Sequence, residues 1–251
     1  MIEAQVQTSP HGVILFDANL VSNVDHDWFD PGRWQEADPE GAAQAGRGQV
    51  TYFDAPFGGC VLRHYLRGGL VARINADKYV WSGRERTRGF REFRLLAHLH
   101  DAGLRVPAPV AARYVRHGLY YRADLITRRI PAACTLAQHL AARDLDAALG
   151  ARVGRVLAGF HAAGAWHADL NAHNVLTDGS GNVWLLDFDR GRLRKPAMDW
   201  QQANLARLQR SFIKLGARKK ITDFDQCFWH PLLAAYHRAL ADRVTQQGSQ
   251  A

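Results

Sequence analysis

One stretch, residues 167–189 with the sequence HADLNAHNVLTDGSGNVWLLDFD, constrains the fold more than any other. Two short apolar runs, at 175–176 and 183–186, flank the turn-forming sequence Asp178-Gly179-Ser180-Gly181-Asn182. That pattern predicts a tight β-hairpin. The hairpin carries Asp169 and Asn174 at its entrance and Asp187 at its exit, with Asp189 just beyond. Both ends of a hairpin lie on the same side, so three oxygen-bearing side chains are expected to converge on one volume.

Two carboxylates and an amide oxygen suit Mg2+, a hard cation that completes its shell with water and substrate phosphates. Phosphoryl transfer needs that cation together with a carboxylate to orient the attacking hydroxyl. The order and spacing resemble the protein-kinase catalytic loop, where an Asp is followed five residues later by an Asn and then by Asp-Phe-Gly. Here the matching residues are His167-Ala168-Asp169, Asn174 and Asp187-Phe188-Asp189. The resemblance implies an α+β, protein-kinase-like fold of two lobes sharing a cleft. The N-lobe, 1–130, would hold a small antiparallel sheet with one helix, and the C-lobe, 131–251, would be mostly helical. It also implies ATP as phosphate donor, Asp169 as the catalytic residue, and Asn174 and Asp187 as Mg2+ ligands. The bland alternative is a hairpin with solvated acids, which would not be expected to reproduce all three motifs in order.

The chain has 251 residues, enough for one large domain or two small lobes. An apolar content of 47% permits a full core, and no run of 18 apolar residues suggests a membrane span. The start, MIEAQVQTSPHG, lacks the charged and apolar regions of a signal peptide. Cys60, Cys134 and Cys227 are odd in number and far apart, which suits a reducing cytosol better than a disulfide framework. The net charge of +8 is concentrated. Residues 190–220 hold ten basic side chains against Asp199 alone, a local charge of +9. Such a patch favours an anionic partner such as a phosphorylated substrate or acidic lipid, unless it is simply a solvated face. No nucleic-acid module pattern accompanies it, so only nonspecific nucleic-acid binding is expected.

Elsewhere the pattern is coarser. Residues 11–15 suggest one strand, and Asp30-Pro31-Gly32 suggests a capped short helix. Residues 49–54 and 60–65 read as strands around the turn at 55–59. Period 2 puts Val61 and Arg63 on one face of the second strand and Leu62 and His64 on the other. Residues 87–100 read as a helix in which Glu92 shares a stripe with Leu95, Leu96 and Leu99. A carboxylate among leucines needs a cation, and Arg63 is the predicted partner. The alternatives are a solvated Arg63 and a stripe-edge Glu92 paired to a surface Arg. Strands at 112–116 and 119–127, a helix capped by Thr135, a longer helix opening at Asp146 and an amphipathic helix opening at Asp199-Trp200 complete the prediction. No Ala-Pro-Glu motif or activation segment follows Asp189, which argues against a regulated protein kinase.

Several segments, among them VLRHYLRGGLV, RTRGFREFRLLAHL, GLYYRADLITRRIP, HADLNAHNVL and DFDRGRLR, resemble the bacterial 3-deoxy-D-manno-octulosonic acid (Kdo) kinases of lipopolysaccharide core assembly. That resemblance covers about residues 45–215. It implies phosphorylation of the 4-hydroxyl of Kdo on the Kdo-lipid A precursor by a peripheral protein at the cytoplasmic face of the inner membrane. By the kinase pattern, Arg63 stands where the nucleotide-binding strand lysine would be, with Glu92 as its partner. Gly46 and Gly48 would cover the phosphates, with Gly58-Gly59 as a rival for that role. Thr127 would back the adenine pocket, and the backbone of Arg128 and Ile130 would meet the adenine edge. Arg190, Arg192 and Arg194 are candidates for the acceptor's carboxylate or phosphate. Asn171 stands in place of the lysine two residues past the catalytic Asp, and Asp189 in place of the glycine of Asp-Phe-Gly. Open alternatives are a heptose- or aminoglycoside-type kinase and an inactive kinase-like scaffold on a membrane surface.

Overall fold

The computed structural model describes residues 1–34, 50–66 and 77–248. Gly46 and Gly48 lie outside the described residues. The fold is mixed α and β with antiparallel sheets. It divides into two compact units, Met1–Ala102 with Pro107–Ile130, and Gly103–Val106 with Pro131–Ala251.

In the first unit the described strands are β1 (Ala4–Ser9), β2 (Gly12–Asp17), β3 (Val50–Ala55), β4 (Gly58–His64), β5 (Tyr79–Val80), β6 (Pro109–His117) and β7 (Tyr120–Arg128). They form a sheet in the order β1-β2-β6-β7-β4-β3, with β5 on β7. The single strand expected at 11–15 is thus one arm of a hairpin, and the strand expected at 112–116 begins at Pro109. The β3–β4 turn is two residues long, since Ala55 faces Gly58. Gly58 adopts φ +112, a conformation glycine takes without steric cost. Helix α1 (Pro31–Trp34) starts after Asp30, whose carboxylate accepts from the Gly32 N–H at 2.9 Å. Its Trp34 stacks on Phe53 at 4.1 Å. Helix α2 (Arg88–Asp101) buries Phe90, Phe93, Leu96 and Leu99. Each such side chain withdrawn from water contributes about 1.5–3 kcal/mol, which is why the apolar stripe fixes which face α2 turns inward.

The second unit holds α3 (Leu136–Ala142), α4 (Ala147–Ala162), α5 (Met198–Lys214), α6 (Ala217–Lys220) and α7 (His230–Gly248), with a π-helical turn at Asp225–Trp229. Thr135 caps α3 through a full capping box with Gln138, and Asp146 caps α4 through the Leu149 N–H. The hairpin of β10 (Val175–Thr177) and β11 (Val183–Leu185) gains a third strand, β8 (Cys134–Thr135), on β10. A separate ribbon joins β9 (Ala165–Trp166) to β12 (Arg192–Leu193). Helix α4 meets α7 closely at Gly154, and meets the π-helical turn ahead of α7 closely at Gly150. A Cβ on Gly154 would lie 2.1 Å from the Leu232 carbonyl oxygen, and one on Gly150 2.4 Å from that of Phe228.

Candidate active site

The hairpin turn is organised by Asp178. Its carboxylate accepts from the backbone N–H groups of Ser180 and Asn182, from the Asn182 amide and from the Trp184 indole. Burial alone would raise its pKa, but these donors outweigh it and hold the group at about 2. The turn therefore stays pinned over the whole neutral range, and the residues at the two open ends keep a fixed register.

At the entrance, Leu170 and Ala172 are fully buried and anchor a loop whose polar side chains remain accessible. His167 is the joint between entrance and exit. The Asp169 N–H donates to its Nδ1 at 3.1 Å, so Nδ1 is unprotonated, and Nε2 carries the proton donated to the Leu186 carbonyl at 2.8 Å. Burial lowers the His167 pKa and keeps the imidazole neutral. The Asn174 carbonyl accepts from the Leu186 N–H at 2.9 Å, and the Asn174 side-chain Nδ2 donates to the Asp169 carbonyl at 2.9 Å. These bonds gather residues 169, 174 and 186 into one cluster. Asp187 follows at φ 59, in the left-handed region, where a non-glycine residue carries backbone strain. Phe188 drives the other way into the core, 1% exposed, stacked on Phe160 and tilted against His167.

The donor chemistry fits a hard cation. Asn174 has its Nδ2 committed, which leaves the amide oxygen as its ligand end, and Asp187 supplies a carboxylate. Among the described residues no group of three His, Cys, Asp or Glu side chains forms a metal cage. A cation held by Asn174 and Asp187 would take the rest of its shell from water and phosphate oxygens, as Mg2+ commonly does.

Asp169 is 60% exposed. Its carboxylate accepts from the Asn171 amide at 3.2 Å and lies 3.5 Å from Nη1 of Arg207 on α5. Helix α5 grips the same loop on either side of that contact. Asn204 makes two bonds to the His167 backbone, at 3.3 and 2.9 Å, and the Ser211 hydroxyl accepts from the Ala172 N–H at 2.9 Å. Positions 204, 207 and 211 share one helical face. In the sequence Arg207 counts only as one of the ten basic residues of 190–220, and nothing there singles out Asn204 or Ser211. The available signal was an amide at a core position, Asn204 being buried between Trp200 and Leu208.

The basic segment is also tied in. The Arg194 N–H donates to the Gly164 carbonyl at 2.8 Å, and Arg192 and Arg194 stack their guanidinium groups on Trp166 at 4.8 and 5.4 Å. Arg190, Arg192 and Arg194 are all exposed. Trp166, one residue ahead of His167, was not singled out in the sequence.

In the first unit Arg63 and Glu92 form the expected pair, with Glu92 only 3% exposed. Tyr65, absent from the sequence prediction, completes it. Its hydroxyl donates to Glu92 at 2.6 Å and accepts from Arg63 at 3.2 Å. Burial pushes the Tyr65 phenol well above its usual pKa, which keeps that donor in place. Thr127 is half-buried on β7 opposite Val61. The N–H groups of Arg128 and Arg129 are engaged by the carbonyls of Ala108 and Gly59, and the Arg128 side chain caps the Phe57 carbonyl. Of the expected adenine-edge backbone, Arg128 therefore retains no uncommitted N–H, and Ile130 lies half-buried just beyond.

Loop, hairpin and Asp-Phe-Asp motif together have the chemistry of a phosphotransferase that acts on a hydroxyl. Comparison with known proteins is specific. Residues 33–236 match the lipopolysaccharide kinase (Kdo/WaaP) family, and the chain belongs to that family. It is 50% identical over 216 residues to the 3-deoxy-D-manno-octulosonic acid kinase of Stenotrophomonas maltophilia, covering 84% of each chain. Against the protein of the same description from Xanthomonas axonopodis pv. citri it is 46% identical over 230 residues, 91% of this chain and 89% of the relative. The Xylella fastidiosa relative, described likewise, is 44% identical over 211 residues.

Proposed function

We propose that this chain is an ATP-dependent kinase that phosphorylates the 4-hydroxyl of Kdo on a Kdo-lipid A precursor in lipopolysaccharide inner-core assembly. The observation that carries the reading is the His167-centred cluster that joins Asp169, Asn174 and the Asp187 strand exit, in a chain close to half identical to several Kdo kinases. The rival acceptors, a heptose or an aminoglycoside, and the inactive-scaffold reading are not favoured by those relatives.

In this reading residues 1–130 are the nucleotide-holding lobe and 131–251 the catalytic lobe of a kinase-like pair. Asp169 orients the acceptor hydroxyl and takes its proton. Asn174 and Asp187 hold Mg2+, which supplies positive charge to the nucleotide phosphates. Arg63, held in place by Glu92 and Tyr65, is the phosphate-neutralising cation of the first unit, and a guanidinium can serve carboxylate and phosphate together. Thr127, Arg128 and Ile130 border the adenine. Because the Arg128 N–H is occupied, its contribution is its carbonyl. Arg190, Arg192 and Arg194 meet the acidic acceptor, and the surrounding basic residues meet the anionic cytoplasmic face of the inner membrane. Among the described residues no helix is long and apolar enough to cross a membrane.

The test is incubation of the purified protein with ATP, Mg2+ and Kdo-lipid A, followed by mass spectrometric location of the added phosphate. One phosphate on the Kdo 4-hydroxyl is expected. Phosphate on another sugar, or ATP consumption without acceptor modification, would overturn the assignment.

A further inference from the structure

We infer that Arg207 is a catalytic cation, its guanidinium meeting the phosphoryl group as that group passes to the acceptor oxygen beside Asp169. This rests on the kinase reading above. The loop at 167–174 brings no Lys or Arg of its own: between Asp169 and Asn174 stand Leu170, Asn171, Ala172 and His173, and His167 is buried and neutral. Negative charge spread over the transferring oxygens calls for a fixed positive group close by. The guanidinium 3.5 Å from the Asp169 carboxylate is placed to supply it.

Three features separate Arg207 from a structural arginine. The pair is loose and open, with Arg207 47% and Asp169 60% exposed. Arg113 shows the contrast: its guanidinium meets Asp124 at 2.8 Å, with the two side chains 18% and 3% exposed. Second, a guanidinium carries five N–H donors, so one long contact leaves others for phosphate oxygens. Third, Arg207 sits between Asn204 and Ser211, both bonded to the loop backbone, so its origin relative to Asp169 is fixed before any ligand arrives. In the transfer the acceptor hydroxyl gives its proton to Asp169 and forms a bond to the γ-phosphorus. The bond from that phosphorus to the β,γ-bridging oxygen breaks, and its electron pair leaves with ADP. Arg207 keeps its protons throughout, as guanidinium groups do in proteins.

The test compares wild type, Arg207→Lys, Arg207→Gln and Arg207→Ala in phosphate transfer from Mg-ATP to Kdo-lipid A, with thermal melts of each. Arg207→Ala is expected to lower kcat about 100-fold with the KM for ATP within about twofold, the pattern of a group used in the transition state. Added guanidinium should restore part of the Arg207→Ala rate, and Arg207→Lys should retain more activity than Arg207→Gln, which keeps a polar N–H donor without charge. A kcat within about threefold of wild type for both neutral variants, or loss that neither lysine nor guanidinium relieves, would overturn the inference. Should wild type hydrolyse ATP without modifying Kdo-lipid A, the acceptor assignment fails by itself, and the same variants read Arg207 on hydrolysis. Absence of both activities in a folded wild type sinks the two together.

Discussion

Replacing Asp169 by alanine removes a carboxylate and leaves the main-chain framework of its loop in place. The Asp169 N–H still reaches His167, and its carbonyl still receives Asn171 and Asn174. Transfer should therefore fall by about 10³-fold, with ATP affinity and thermal stability little changed. Rates of a purified Asp169→Ala protein at saturating ATP check this, and turnover near wild type would remove Asp169 from its role. A second residue acts through protonation. His161, 2% exposed and bonded to the Tyr236 hydroxyl at 2.8 Å, has its pKa pushed by burial from 6.5 down to about 4. Above pH 6.5 it is neutral whether folded or unfolded, so its full contribution to stability is present there. Between pH 6.5 and 4 the unfolded chain takes up a proton that the folded one refuses. Stability is lost across that window, by on the order of 3 kcal/mol for this group. His161→Gln should flatten the pH dependence of the denaturation midpoint between those limits; an unchanged slope would mean the ring is not held neutral.

At the scale of elements, the α4–α7 contact depends on the missing methyl group of Gly154. Gly154→Ala puts a Cβ against the Leu232 carbonyl, where the nearest atom is backbone. Overpacking of that kind costs about 1–3 kcal/mol, and more where backbone must move. A urea titration should show a lower midpoint for Gly154→Ala, and a wild-type midpoint would mean the helices separate freely. The sequence made some elements plain and hid others for physical reasons. The hairpin from Val175 to Leu185 was legible because apolar runs and a dense turn agree. Helix α2 and the pairing of Arg63 with Glu92 were legible because a carboxylate on an apolar stripe demands a cation. Strand β1 was not, because Ala4, Val6 and Thr8 on one face are exposed and the half-buried positions of the other, Gln7 and Ser9, are polar, so no apolar alternation marks it. Strands β8, β9 and β12 have two residues each, too few to display a period. Arg207 and Tyr65 escaped for another reason. Helix and strand periodicity sorts residues by face but does not say which distant loop or side chain that face will meet.

Over the whole molecule, charge decides which ligand is affected by which change. Residues 190–220 carry a net charge of +9 in a chain whose total is +8. Converting Arg190, Arg192 and Arg194 together to glutamine should raise the KM for Kdo-lipid A by about tenfold or more and that for ATP by much less, because a single charge-assisted contact is worth about 1.5–3 kcal/mol. Steady-state kinetics with each substrate varied in turn would show this, and equal effects on both constants would place the acceptor elsewhere.

The grip of Asn204 and Ser211 on the loop has a consequence for control. Where such a loop is fastened by ordinary side chains of its neighbouring helix, it is in working order once the polypeptide has folded.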